Sequence, residues 1–161
     1  MLVLSGNEQK ILLLSYDYPP MRGGISTYAG ELAQAFYNPA QPNLLVIAPG
    51  SGENDQIPTK RIALPLGSWL SPLVFAWHLS IAQKSAPGSI VFCTNWYPAG
   101  VAAWMVQWFS KKSPYFVAVH GAEIMEKKGP LGWIKKQLRR RVLAAAAGAF
   151  PVSRFTASRL R

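Results

Sequence analysis

Three short stretches hold the residues best suited to polar chemistry. Gly23 and Gly24, within YPPMRGGIST (Tyr18–Thr27), lie between an apolar run and a helix-like segment. His120, Gly121 and Glu123 close the run VAVHGAEI, and Ser153 and Arg154 close GAFPVSR. Glycines before a helix can adopt positive φ and let a ligand approach the backbone. With the free N–H groups of a helix N-terminus they favour an anion, which points to a phosphate or diphosphate. The same pair also suits a tight strand-to-helix turn. His120 can hydrogen-bond a hydroxyl or titrate near neutral pH, or be satisfied by backbone groups in a loop. Glu123 can pair with a nearby Lys or Arg, or face water.

Other chemistries lack their signatures. Neither the dinucleotide fingerprint G-x-G-x-x-G nor the phosphate loop G-x-x-x-x-G-K-[ST] occurs, which argues against a nucleotide-binding regulatory domain. There is no G-x-S-x-G elbow. One cysteine and two distant histidines give no metal-ligand spacing, so no metal is expected. His78, mid-helix in LVFAWHLSIAQ, reads as structural.

These stretches need a scaffold, and the hydrophobic pattern supplies one. Ile11–Tyr16, Asn43–Pro49, Arg61–Pro65, SIVFCT (Ser89–Thr94), Tyr115–His120 and GAFPVS (Gly148–Ser153) read as strands. Between them, helices are expected over Ser26–Tyr37, with Ser26 as N-cap and Pro39 as stop, from Pro72 to about Lys84, over Pro98–Ser110 and over Leu131–Ala147. A further helix starts at RFTASRLR. The segment Pro98–Ser110 is apolar nearly all round and is expected to be buried. Strands apolar on both faces that alternate with helices predict an α/β domain, a doubly wound parallel sheet with helices on both faces. Ligands bind such sheets at the carboxyl ends of the strands, which directs attention to Asp17–Ile25, Asn95–Tyr97, His120–Glu123 and Ser153–Arg154.

Composition narrows the class further. Of 161 residues, 50% are hydrophobic and 15% charged, a globular balance long enough for a single domain with a real core. The net charge of +10 is not evenly spread: residues 110–161 hold 12 basic groups against Glu123 and Glu126. Within that third, Leu131, Ile134, Leu138 and Val142 recur at helical spacing and form one apolar face, expected to pack on the sheet. Lys135, Lys136, Arg139 and Arg140 lie largely off it, and Trp133 flanks it. Such a helix suits an anionic membrane surface, or is simply a solvated basic face. No nucleic-acid recognition module is present. The uncharged stretch Ser85–Ser110 is long enough to span a bilayer, but Asn95, Pro98 and Gly100 interrupt it, so a strand, a turn and a helix are expected instead. Cys93 in SIVFC is expected to be buried and reduced, as in a cytoplasmic protein. MLVLSGNEQK lacks the pattern of a signal peptide.

Taken in order, YPPMRGGISTYAGELAQAF, HGAEI and PVSRFTASRL resemble the N-terminal, acceptor-side domain of family 4 glycosyltransferases, which have the GT-B fold. The resemblance runs from Lys10 onward. It implies transfer of a sugar from a nucleotide-diphosphate donor to an acceptor hydroxyl, usually with retention, in a cleft between two Rossmann-like halves. It implies no cofactor, the nucleotide sugar being a substrate. Carried onto this chain, it implies that Gly23, Gly24, Ser153 and Arg154 face the donor. It places His120 by the transferring sugar, as a hydrogen-bonding partner more than a base, and Tyr97 and Glu123 toward the acceptor. The acceptor is expected to be a saccharide or lipid-linked, the latter at the inner membrane face through Lys135, Lys136, Arg139 and Arg140. The family's donor-binding half has no counterpart in residues 1–161. This piece is therefore expected to be inactive alone, or to serve as a non-catalytic module docking through its basic third.

Overall fold

The computed structural model describes residues 10–40, 42–52, 55–64, 68–109, 113–121, 129–153 and 156. Six strands form one parallel sheet: β1 (Ile11–Leu14), β2 (Leu44–Pro49), β3 (Thr59–Ile62), β4 (Ile90–Cys93), β5 (Tyr115–Val119) and β6 (Gly148–Pro151). Their order is β3-β2-β1-β4-β5-β6, so β1 and β4 lie centrally and the strand order reverses between them. Register is direct, with Leu13 beside Val46 on one side and Phe92 on the other. Among the described residues the α-helices are α1 (Gly24–Phe36), α2 (Ser71–Ser85), α3 (Val101–Phe109) and α4 (Pro130–Ala145).

Alternation along each strand divides the core in two. Leu12, Leu14, Ile47, Val117 and Val119 face one way, onto α2, α3 and α4. Leu13, Val46, Ala48 and Ala118 face the other way, onto Ala29 and Ala33 of α1. Small alanines there let the helix backbone sit close to the sheet. Cys93 is fully buried, and burial pushes its thiol far up. Tyr115, buried beneath α4, donates its hydroxyl to the carbonyl of Val142 and fastens that helix to β5.

Several sequence expectations need correction. The third strand is Thr59–Ile62, not Arg61–Pro65. Ser26 is not the N-cap of α1: that position is Gly23, and Ser26 lies inside the first turn, its hydroxyl donating to Met21 O at 2.6 Å. Helix α3 is not buried all round. Val101, Ala102, Ala103 and Val106 are buried, whereas Trp108 and Phe109 project outward. Helix α4 packs on the sheet only along its C-terminal half. Val142 is fully buried and Leu138 half-buried, but Leu131 and Ile134 are 74% and 55% exposed. Residues 85–109 resolve into strand, turn and helix as expected, and no described helix is long and apolar enough to cross a membrane.

Candidate functional site

The carboxyl ends of β1, β4 and β5 converge on a chain of buried polar groups. Ser15 and Thr94 are fully buried, and His120 nearly so. Ser15 Oγ donates to Asp17 O at 2.7 Å, Thr94 Oγ1 donates to Ser15 Oγ at 2.8 Å, and His120 Nε2 lies 2.7 Å from Thr94 O. A carbonyl can only accept, so the proton of this last bond sits on Nε2. In the neutral ring, Nδ1 is then the nitrogen with acceptor capacity. His120 also meets the ring of Tyr28 edge-on, with centroids 5.4 Å apart. Burial pushes the Asp17 carboxyl up, and the positive charge of a protonated His120 opposes that rise. A carboxylate, an imidazole and a phenol from β1, β5 and α1 thus gather at one strand-end cluster.

The glycine loop borders this cluster. Gly23 has φ +149°, a conformation that favours glycine. Its carbonyl accepts from Thr27 N at 2.9 Å and Thr27 Oγ1 at 3.1 Å, which starts the helix. No described side chain caps α1, so its first amides are unsatisfied within the helix. Gly24 is helical, and a Cβ added there would meet nothing within 4 Å. The turn explains glycine at 23 but not at 24. The open space at 24 is what a close-approaching ligand would need.

Arg61 fixes the preceding loop. Its Nη2 donates to Pro19 O at 2.6 Å and its Nη1 to Pro49 O at 3.1 Å. The same guanidinium forms two bonds to Asp55, at 2.9 and 2.6 Å, and sits 5.3 Å from the centre of the Tyr18 ring. Arg61 holds the Asp55 carboxyl below its ordinary value of 3.8. The sign follows: the pair stabilises the folded chain above the unfolded carboxyl's pKa, and this contribution is lost as pH falls through the lower folded pKa. Asp17, whose folded pKa is raised, acts with the opposite sign. Arg61→Met should therefore cost roughly 1–3 kcal/mol at neutral pH. Between about pH 5 and 2 it should also remove part of the acid-induced loss. Urea unfolding of both proteins at several pH values checks this; parallel stability curves would contradict it.

The remaining predicted residues fall as follows. Tyr97 breaks the helical turn Trp96–Gly100 with φ −132° and ψ 130°. Its hydroxyl lies 3.4 Å from Trp69 O, and burial, followed by Tyr16, pushes the phenol up. It stands just beyond β4. Ser153 is exposed just beyond β6, and its Oγ lies 2.9 Å from Thr156 Oγ1 and accepts from Thr156 N at 3.2 Å. Glu123 and Arg154 lie outside the described residues. Sequence reasoning gave no role to Asp17, Tyr28 or Thr94. Their signal was position: Asp17 and Thr94 at strand ends, Tyr28 in the first turns of α1. Among the described residues, no three His, Cys, Asp or Glu side chains converge as metal ligands.

Residues 23–161 match the model of a glycosyl transferase 4-like domain. No curated protein matches the sequence. Among solved structures, the fold is similar to the apo form of the lipopolysaccharide outer core galactosyltransferase WaaB, with a TM-score of 0.64 at 14% identity. The likeness takes in 94% of this chain and 42% of that one, so this chain spans less than half the length of that structure.

Proposed function

The chain belongs to the glycosyl transferase 4-like family, and from that premise we propose that it forms the acceptor-side half of a sugar transferase. The donor is a nucleoside-diphosphate sugar, the acceptor a hydroxyl, and the anomeric configuration is retained. The observation that carries this reading is the uncapped start of α1, with open space at Gly24, bordering the His120 cluster.

The chemistry follows from the groups present. Sugar transfer leaves a diphosphate, whose charge grows as the glycosidic bond breaks. Fixed amides at a helix N-terminus stabilise that charge without reorganising. His120, held by Thr94 O and the Tyr28 ring, is oriented to hydrogen-bond the transferring sugar. Tyr97 stands toward the acceptor. The family resemblance assigns Glu123 to the acceptor, and Ser153 and Arg154 to the donor. Membership of a transferase family favours this role over a purely non-catalytic docking module.

In this reading most nucleotide contacts come from a second domain, so residues 1–161 alone should turn over no substrate. The test assays the native gene product and the 161-residue chain with a panel of nucleotide sugars, and reads product configuration by NMR. Transfer by the first and none by the second is the expected result. No transfer by the native product with any donor, or ordinary turnover by the 161-residue chain, would overturn the reading.

A further inference from the structure

The helices α2, α3 and α4 form one layer over one face of the sheet, with α2 packed on α3 and α3 on α4. The outward surface of this layer is unusual. Of six tryptophans in the chain, Trp69, Trp77, Trp108 and Trp133 are 63–72% exposed, and all four belong to this layer or to the turn leading into it. Trp69, Leu73, Trp77 and Ile81 recur every four residues and are all exposed. They form a stripe about 18 Å long at the helical rise of 1.5 Å per residue. Phe109 on α3 is exposed as well, and so are Leu131 and Ile134 where α4 runs past the sheet.

Charge on the layer has one sign. The segments Ser71–Ser85, Val101–Phe109 and Pro130–Ala145 contain no Asp or Glu, yet carry Lys84, Lys135, Lys136, Arg139, Arg140 and Arg141. Lys135, Arg140 and Arg141 are exposed. The acidic residues described, Asp17, Glu31 and Asp55, lie on loops or on α1. Exposed apolar surface of this extent marks an interaction site. Tryptophan prefers the headgroup level of a bilayer, and clustered Lys and Arg are attracted to anionic lipid. An acidic protein partner would match the charge, but would leave the row of Trp69, Leu73, Trp77 and Ile81 without an apolar layer to enter.

We propose that the outer surface of the α2–α3–α4 layer lies on an anionic lipid bilayer, its tryptophans at headgroup depth and the bases of α4 on the lipid phosphates. This differs from docking through the basic third alone: the tryptophans of α2 and α3 lead, and charge assists. Surface composition carries it, so it stands whether or not the transferase reading does. The surface also adjoins the candidate site, because the carbonyl of Trp69 receives the Tyr97 hydroxyl.

The test is co-sedimentation of the 161-residue chain with phosphatidylcholine vesicles, with and without phosphatidylglycerol, while following tryptophan emission. Binding to the anionic vesicles with a blue shift is expected. The exposed double variant Trp69→Ser, Trp77→Ser should bind at least tenfold more weakly at every salt concentration. The variant Lys135→Gln, Arg140→Gln, Arg141→Gln should keep the blue shift on binding but lose most of its preference for phosphatidylglycerol. Circular dichroism confirms that both remain folded. Absence of vesicle binding overturns the proposal. Undiminished binding by the tryptophan variant overturns it too. So does a wild-type dimer in sedimentation that the tryptophan variant breaks without any lipid effect, which would assign the surface to a second copy.

Discussion

Gly24→Val is expected to lower sugar transfer by the native gene product roughly a hundredfold or more, the usual loss when one preorganised anion donor is disabled. The fold should tolerate the change. Gly24 has ordinary helical geometry, and a Cβ there touches nothing within 4 Å. What the side chain would occupy is the space before the first amides of α1. Gly24→Ala should give a smaller loss, graded with side-chain size. Gly23→Val would fail differently, because its φ of +149° strains any β-carbon. That strain costs about 1–3 kcal/mol and would show as lost stability. Kinetics and thermal melts on the same preparations separate the two effects. If Gly24→Val melts like the parent and transfers sugar at the parental rate, the pair is only a turn.

The second large effect is expected at His120. His120→Ala removes the group that bridges Thr94 O and the ring of Tyr28. It leaves a buried carbonyl without that donor, at a cost of about 1–3 kcal/mol. Transfer should fall by roughly two to four orders of magnitude if the imidazole moves a proton or hydrogen-bonds the reacting sugar. His120→Gln distinguishes site chemistry from architecture, because its amide can donate to Thr94 O. Stability restored without activity is expected and assigns the ring to the reaction. Stability and activity restored together would reduce His120 to a strut.

The fold was legible because its signals are local. Apolar runs such as ILLL and LLVIA identified the strands, and alternation with helical segments identified the parallel sheet. Strand order was not legible. It is set by which crossovers pack, and it alone brings Asp17 after β1 and Thr94 after β4 together with His120 after β5. Gly23 and Gly24 were visible as a pair, but only the backbone angles divide their roles. The misread N-cap has a physical cause. Ser26 looks like a cap by residue type, yet its hydroxyl is taken by Met21 O. Helical spacing likewise placed Leu131 and Ile134 in the core, whereas α4 packs on the sheet through its C-terminal half.

The ends of the strand order have a consequence for solubility. A parallel sheet has two outer strands whose unpaired backbone groups can template another chain, seeding aggregation. Here both are blunted. Strand β3 is four residues long and carries Lys60 and Arg61 side by side. Strand β6 is equally short, opens with Gly148 and closes with Pro151, which has no N–H to offer. Any approaching strand would meet charge at one edge and a missing donor at the other. A chain half hydrophobic in composition is thus protected from growing its own sheet into a fibre.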